Sequence, residues 1–227
     1  MFNGITLASF ILLFVVAASA QESPSNKILN RFELVAGPSV SKNKGYLPDH
    51  DSRTGYSVGV GYYQKLSKSF YLNFRTLYES KGTAATYRAS VANMDGSSVN
   101  IQDKYTSEFK YLTFYLLPTL KLAPKKNIHI GAGGYYSFLR RLSVTSHRTN
   151  HDTGELIWYN TRTDESFFTP NYDAGVTFQI GYSFKVNDKC RLMLQAFSNR
   201  GLVDLHSNWI GSHRNNNFGL LLSFKMQ

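Results

Sequence analysis

The chain is poor in cysteine and proline. Among 227 residues there is one cysteine, Cys190, and there are six prolines. A single thiol excludes an intrachain disulfide framework, and zinc-ligand and thiol redox spacings are absent with it. Cys190 reads as a small apolar side chain at a strand start. Beyond the first twenty residues no apolar run approaches the ~20 residues that a membrane helix needs. A helical membrane protein is thereby excluded, in keeping with a mean hydropathy of −0.28. Acidic residues are also scarce, 15 against 25 Lys and Arg, for a formal charge of +10. The lysines gather in short turns (Lys65 and Lys68, Lys121, Lys125 and Lys126, Lys185 and Lys189). They read as solvated turn charge, with attraction to anionic head groups the functional alternative and no nucleic acid expected.

What is abundant is alternation. From Tyr172 to Phe184 every second residue is apolar (Tyr172, Ala174, Val176, Phe178, Ile180, Tyr182, Phe184). Asp173, Gly175, Thr177, Gln179, Gly181 and Ser183 lie between them. That period describes a strand with one greasy and one polar face. It is longer than the ~5–6 residues usual in globular sheets and reaches the ~9–11 that cross a bilayer. Similar segments recur at about 31–40, 54–66, 69–80, 107–121, 127–145, 167–185, 189–199 and 215–226. In lipid only a closed barrel satisfies the backbone of such strands. The fold expected is therefore all-β, an eight-stranded antiparallel up-and-down transmembrane barrel.

Three units follow. Residues 1–20 read as a secretory signal peptide, with an apolar run from Ile5 to Ala17 and the cleavage pattern Ala18-Ser19-Ala20. A retained anchor is the alternative, because no Lys or Arg precedes the run. Residues 21–30 form a periplasmic tail and 31–227 the outer-membrane barrel. The links near 41–53, 81–106, 146–166 and 200–214 are long and polar, whereas those at Ser67-Lys68, Pro124 to Asn127 and Val186 to Lys189 are tight. Short turns inside and long loops outside are the outer-membrane habit, which puts both termini in the periplasm.

Parity sorts the side chains. Tyr56, Val58, Val60, Phe70, Leu72, Phe74, Leu116, Ile130, Leu194, Leu220 and Leu222 point outward, with aromatic girdles from Tyr56, Tyr62, Phe70, Tyr78, Tyr136, Phe138, Tyr172 and Phe184. Eight strands enclose only enough space for their own side chains. The inward charges Glu33, Arg75, Asp173, Arg191 and Lys225 are therefore expected to pair as a structural lumen network, because unpaired ions are costly to bury.

Three stretches carry a family likeness. They are Tyr111-Leu112-Thr113-Phe114-Tyr115-Leu116-Leu117-Pro118-Thr119-Leu120-Lys121-Leu122, Ile128-His129-Ile130-Gly131-Ala132-Gly133-Gly134-Tyr135-Tyr136, and Phe197-Ser198-Asn199-Arg200-Gly201-Leu202-Val203-Asp204. In this order they resemble the outer-membrane β-barrel (PorT-like, "porin family") domain of Bacteroidota. The resemblance implies a cell-envelope barrel and no single activity. The chain departs from many such barrels in ending Phe224-Lys225-Met226-Gln227 rather than on an aromatic. Pro118 suggests a bulge or kink, and Gly131, Gly133 and Gly134 suggest bare backbone under neighbouring Tyr rings.

Two constellations bear on catalysis. His206-Ser207-Asn208 and Ala196-Phe197-Ser198-Asn199 compare with the His-x-Ser-Asn of lipid A deacylases. The second lacks the His, and the first sets His beside Ser, on opposite strand faces. His147 and His151 have a metal-compatible spacing on a helix, but they read as part of a polar loop with Asp152, Glu155, Asp164 and Glu165. No enzyme activity, cofactor or metal is expected. The leading reading is a structural or interaction barrel at the cell envelope, supporting secretion or surface binding. Its partners would be outer-membrane lipid and lipopolysaccharide, the outer-membrane assembly machinery, and envelope or secretion proteins. A narrow passive channel for small solutes or ions, a lipid A-modifying enzyme and a soluble lipocalin-like barrel with reversed faces are the alternatives.

Overall fold

A computed structural model describes residues 31–44, 50–92, 97–122, 127–163, 171–187, 190–203 and 214–226. The expected leader and N-terminal tail lie outside them. The described residues form nine strands: β1 (Phe32–Lys44), β2 (His50–Lys65), β3 (Phe70–Ala92), β4 (Ser98–Lys121), β5 (Ile128–Asn150), β6 (Leu156–Thr163), β7 (Tyr172–Asn187), β8 (Cys190–Gly201) and β9 (Arg214–Met226). All pairings are antiparallel and run β4-β3-β2-β1-β9-β8-β7-β5, and the β4–β5 pairing closes the ring. Eight strands make the barrel, as expected. The ninth, β6, pairs only with residues 143–149 of β5 and lies outside the ring.

Within the ring the alternation holds. Val58, Val60, Leu116, Phe178, Ile180, Leu194, Phe218 and Leu222 face out and are exposed, while their neighbours Ser57, Leu117, Thr177, Gln179, Gln195, Leu221 and Ser223 are buried. The continuous apolar face lies outside, and the interior mixes polar and apolar side chains, the reverse of a lipocalin. On β3 the outward belt runs from Phe70 to Tyr78, a span that matches a tilted transmembrane strand. Aromatics mark both rims. Phe32 packs edge-on against Tyr62 with ring centroids 5.3 Å apart at the end carrying the short turns, the turn end. At the opposite rim Tyr136 stacks on Tyr172 at 5.6 Å and Tyr78 lies 6.5 Å from Tyr56. Phe178 sits midway between the rims with 60% of its surface exposed. Phe178→Arg is therefore expected to destabilise the barrel by about 2–4 kcal/mol, the cost of a cation at the bilayer midplane. A urea titration in lipid vesicles measures it, and an unchanged midpoint would contradict the lipid-facing assignment.

The structure corrects the lengths of the links. Residues expected as the loops 81–106 and 146–166 are largely strand: β3 and β4 remain paired from Phe70↔Leu120 to Ala92↔Ser98, and β5 continues to Asn150 before β6 folds back on it. The result is a sheet of β3, β4, β5 and β6 rising past the belt at what we term the hairpin end. Its register is adjusted by a bulge on β5 between Leu139 and Arg141, opposite Lys110 and Tyr111.

The proline and glycine expectations are also revised. Pairing toward β5 skips Leu117 and Pro118 without a change of register, so Pro118 interrupts the ladder and introduces no bulge. A side chain on Gly131 would strike Gln179 and Thr119, and one on Gly133 the Leu116 backbone, so Tyr rings are not what these glycines accommodate. Ring-over-glycine contacts occur instead at Gly175, where a Cβ would lie 2.8 Å from the Tyr135 hydroxyl, and at Gly219, where one would lie 2.7 Å from the Phe197 ring.

Candidate functional site

The barrel's interior is its most organised polar region, and it is stratified. Nearest the turn end, a row of cross-strand neighbours runs Arg75 (β3), Gly61 (β2), Glu33 (β1), Lys225 (β9), Arg191 (β8). Arg75 Nε donates to Glu33 Oε1 at 2.6 Å across Gly61. Gly61 leaves room for this bond, because a Cβ there would crowd the Glu33 side chain, standing 2.7 Å from its Cγ. The remaining guanidinium nitrogens reach across the lumen. Nη1 donates to Gln179 at 2.9 Å, and Nη2 donates to Gln195 at 2.7 Å and to the Tyr63 hydroxyl at 3.0 Å. Lys225 places its Nζ 4.8 Å from the centroid of the Tyr63 ring. Four of the five expected network residues thus share one row. The fifth, Asp173, is in a different layer.

Above that row Val35, Leu77, Tyr115, Leu117, Tyr135, Phe197 and Leu221 form an apolar plug. A void of about 10 Å³ remains between the plug and Arg75, lined by Thr177 and Gln179 among others. That is room for one water at most.

A second polar layer caps the plug. Glu79 Oε2 and Lys81 Nζ pair at 3.0 Å, both side chains essentially inaccessible. The other carboxylate oxygen of Glu79 accepts from Tyr115 at 2.8 Å and Ser57 at 3.0 Å. Lys81 lies between the rings of Tyr111 and Tyr135, 5.3 and 4.9 Å from their centroids. Asp173 accepts from the Tyr135 hydroxyl and from Asn215, each at 3.2 Å. Asp173 therefore does not join Glu33 against the expected cations Arg75, Arg191 and Lys225, and the ion pair of its own layer, Glu79–Lys81, is not among the expected residues. The strand parity Asn73, Arg75, Leu77, Glu79, Lys81 carried that signal, but the third strand was expected to end at residue 80. Phe109, Tyr111 and Leu142 close the stack toward the hairpin end.

The residues weighed for catalysis fall apart. Ser198 faces outward, while Asn199 points into the lumen and donates to the Tyr115 hydroxyl at 2.8 Å. His206, Ser207 and Asn208 lie outside the described residues. His147 is on strand β5, not in a loop, its ring 4.6 Å from that of Tyr159, and His151 sits in the following turn with Nδ1 3.5 Å from Asp152. Asp164 and Glu165 are not among the described residues, which hold no group of three or more metal-ligating side chains.

At the hairpin end Arg148 grips Asp103 through Nε and Nη2 at 2.7 and 2.8 Å. This bond, reinforced by the positive charge, holds the Asp103 carboxyl below the usual carboxylate range. A depressed folded value means that the pair contributes fully above the ordinary carboxylate pKa and is lost as the pH falls through the lowered one. Amide exchange in β4 and β5 beyond Lys110, corrected for the intrinsic rate, is expected to be flat from neutral pH down to the carboxylate range and to accelerate below it. Asp103→Asn should remove the dependence, and its persistence in that variant would assign it elsewhere.

Residues 19–207 match the model of the outer membrane protein beta-barrel domain family. No curated protein matches the chain. Among solved structures the fold is similar to the outer membrane protease OmpT of Escherichia coli (9% identity, 91% of this chain and 99% of that one, TM-score 0.45). It is also similar to the attachment invasion locus protein Ail of Yersinia pestis (8% identity, 86% and 98%, TM-score 0.36) and to Neisserial surface protein A (12% identity, 86% and 96%, TM-score 0.36). With its outward apolar belt, its closed antiparallel ring and a family match over most of its length, the chain belongs to the outer membrane protein beta-barrel domain family.

Proposed function

We propose that this is a non-enzymatic outer-membrane barrel whose lumen is a structural core and whose β3–β6 sheet is displayed outside the cell as an interaction surface, with both chain ends in the periplasm. The supporting observation is the stacking of the interior: among the described residues an ion-pair layer, an apolar plug and a second ion-pair layer fill the lumen, and the void between the plug and Arg75 holds one water at most. Function then falls to the surface. The raised sheet exposes Tyr87, Tyr105, Ile157, Trp158 and Tyr159, types that anchor protein contacts. The partners fitting such a module are outer-membrane lipid and other envelope or secretion proteins, with the assembly machinery engaged during insertion. The PorT-like assignment within the family rests on the Tyr111–Leu122, Ile128–Tyr136 and Phe197–Asp204 motifs and belongs to the same proposal.

Planar-bilayer recording tests the filled lumen. Purified protein is expected to give no steady conductance, whereas a reproducible ohmic step would favour a narrow passive channel. Protease added to intact cells tests orientation, with cleavage expected within the β3–β4 or β5–β6 hairpin and none at the chain ends.

A further inference from the structure

The bulge on β5 has an electrostatic result. Leu139 pairs with Tyr111 and Arg141 with Lys110, so Arg140 is the extra residue. Two successive side chains, Arg140 and Arg141, therefore share the outward face opposite Lys110. Both arginines are exposed, and neither forms an ion pair with any described residue. Glu108, the nearest acid along β4, is already held by Arg53 at 3.3 Å and by the Ser80 hydroxyl at 2.8 Å. Lys110 stands 4.0 Å from it, at the margin of an ion pair. Like charges placed directly across a ladder destabilise it, so the arrangement gains when an anion sits among the three cations.

The position indicates which anion. Immediately toward the belt lie Leu112 and Phe138, paired across β4 and β5. Phe138 is in turn 6.1 Å from Phe114 and 4.8 Å from Tyr136. This is a lipid-facing aromatic patch directly below a cationic shelf. An amphiphile with acyl chains on the patch and phosphate on the shelf satisfies both. Three cations suit a headgroup bearing two phosphates better than one bearing a single phosphate.

We propose that Lys110, Arg140 and Arg141 form a binding site for the phosphorylated sugar headgroup of the outer-leaflet glycolipid, with Leu112, Phe114 and Phe138 carrying its acyl chains. The proposal rests on the orientation given above, in which the hairpin end faces outward.

The test uses full-length barrel in phosphatidylcholine nanodiscs doped with diphosphoryl lipid A, with bound lipid counted by native mass spectrometry. Each cation near an anionic surface strengthens attachment about fivefold, so Lys110→Gln/Arg140→Gln/Arg141→Gln is expected to weaken retention about a hundredfold. The triple variant should fold at least as well as the parent in pure phosphatidylcholine, since repulsion is relieved. Equal retention by parent and variant would overturn the site. Equal retention of dephosphorylated lipid A would overturn the phosphate as ligand, and equal retention of phosphatidylglycerol the glycolipid headgroup. Both leaflets of the disc carry the lipid, so binding is read independently of orientation, which the protease experiment on cells decides separately.

Discussion

Lys81→Met is expected to destabilise the barrel by about 3–5 kcal/mol, because it leaves the carboxylate of Glu79 buried without its counter-charge. The hydroxyls of Tyr115 and Ser57 still donate to it, but two neutral donors do not replace an ammonium at 3.0 Å. The variant also forfeits the two cation–ring contacts to Tyr111 and Tyr135, each of which can reach about 2 kcal/mol when water is excluded. Glu79→Leu/Lys81→Met should recover most of the loss, since an apolar pair of similar volume avoids desolvating either ion. Urea titration in lipid vesicles, followed by the gel shift between the compact barrel and the unfolded chain, gives both numbers. A Lys81→Met midpoint equal to the parent's would mean that water reaches this layer, and the plug below it would then have to be reconsidered.

How much of this interior could be read from the sequence depends on what enforces the pattern. In the belt, hydrocarbon on one side demands apolar residues at every second position, and Tyr172 to Phe184 or Phe218 to Phe224 can be assigned a face on sight. Past Tyr78 the outward apolar belt of β3 ends, and Ser80-Lys81-Gly82-Thr83-Ala84-Ala85-Thr86 is polar or small on both faces. Such a stretch reads as loop although its backbone stays paired to Ala92. The lumen residues beside the belt, such as Glu33, Arg75 and Gln179, are legible for the same reason, whereas Lys81 lies beyond the belt and is not. The partnerships are not legible either, because which inward residues share a layer is set by strand tilt and register. Asp173 could thus be placed inside from its parity but not assigned to Tyr135 and Asn215 rather than Arg75. The bulge at Arg140 was illegible too. Arg140-Arg141 looks like ordinary surface charge until the register with Lys110 is known.

Arg75 is the residue on which the turn-end layer converges, and its replacement is expected to have an effect as large as that at Lys81. Its three guanidinium nitrogens join β3 to β1 through Glu33, to β7 through Gln179, to β8 through Gln195 and to β2 through Tyr63. Arg75→Met should cost about 3–5 kcal/mol, the penalty for one orphaned partner of a buried pair. Arg75→Lys keeps the charge, but a single ammonium on a flexible stem cannot match a planar fork that donates in four directions. We expect Arg75→Lys to fall between Arg75→Met and the parent. Glu33→Gln/Arg75→Met should cost less than the sum of its single changes, with a coupling of about 0.5–3 kcal/mol. Gly61→Ala offers an independent check that alters no charge. A Cβ there meets Glu33 Cγ at 2.7 Å and pushes the carboxylate off Arg75. If the row acts as one unit, Gly61→Ala should lose much of its effect in the Glu33→Gln/Arg75→Met background. If its effect is the same in both backgrounds, the glycine serves the backbone alone, and the energetic weight of the layer lies with Gln179 and Gln195.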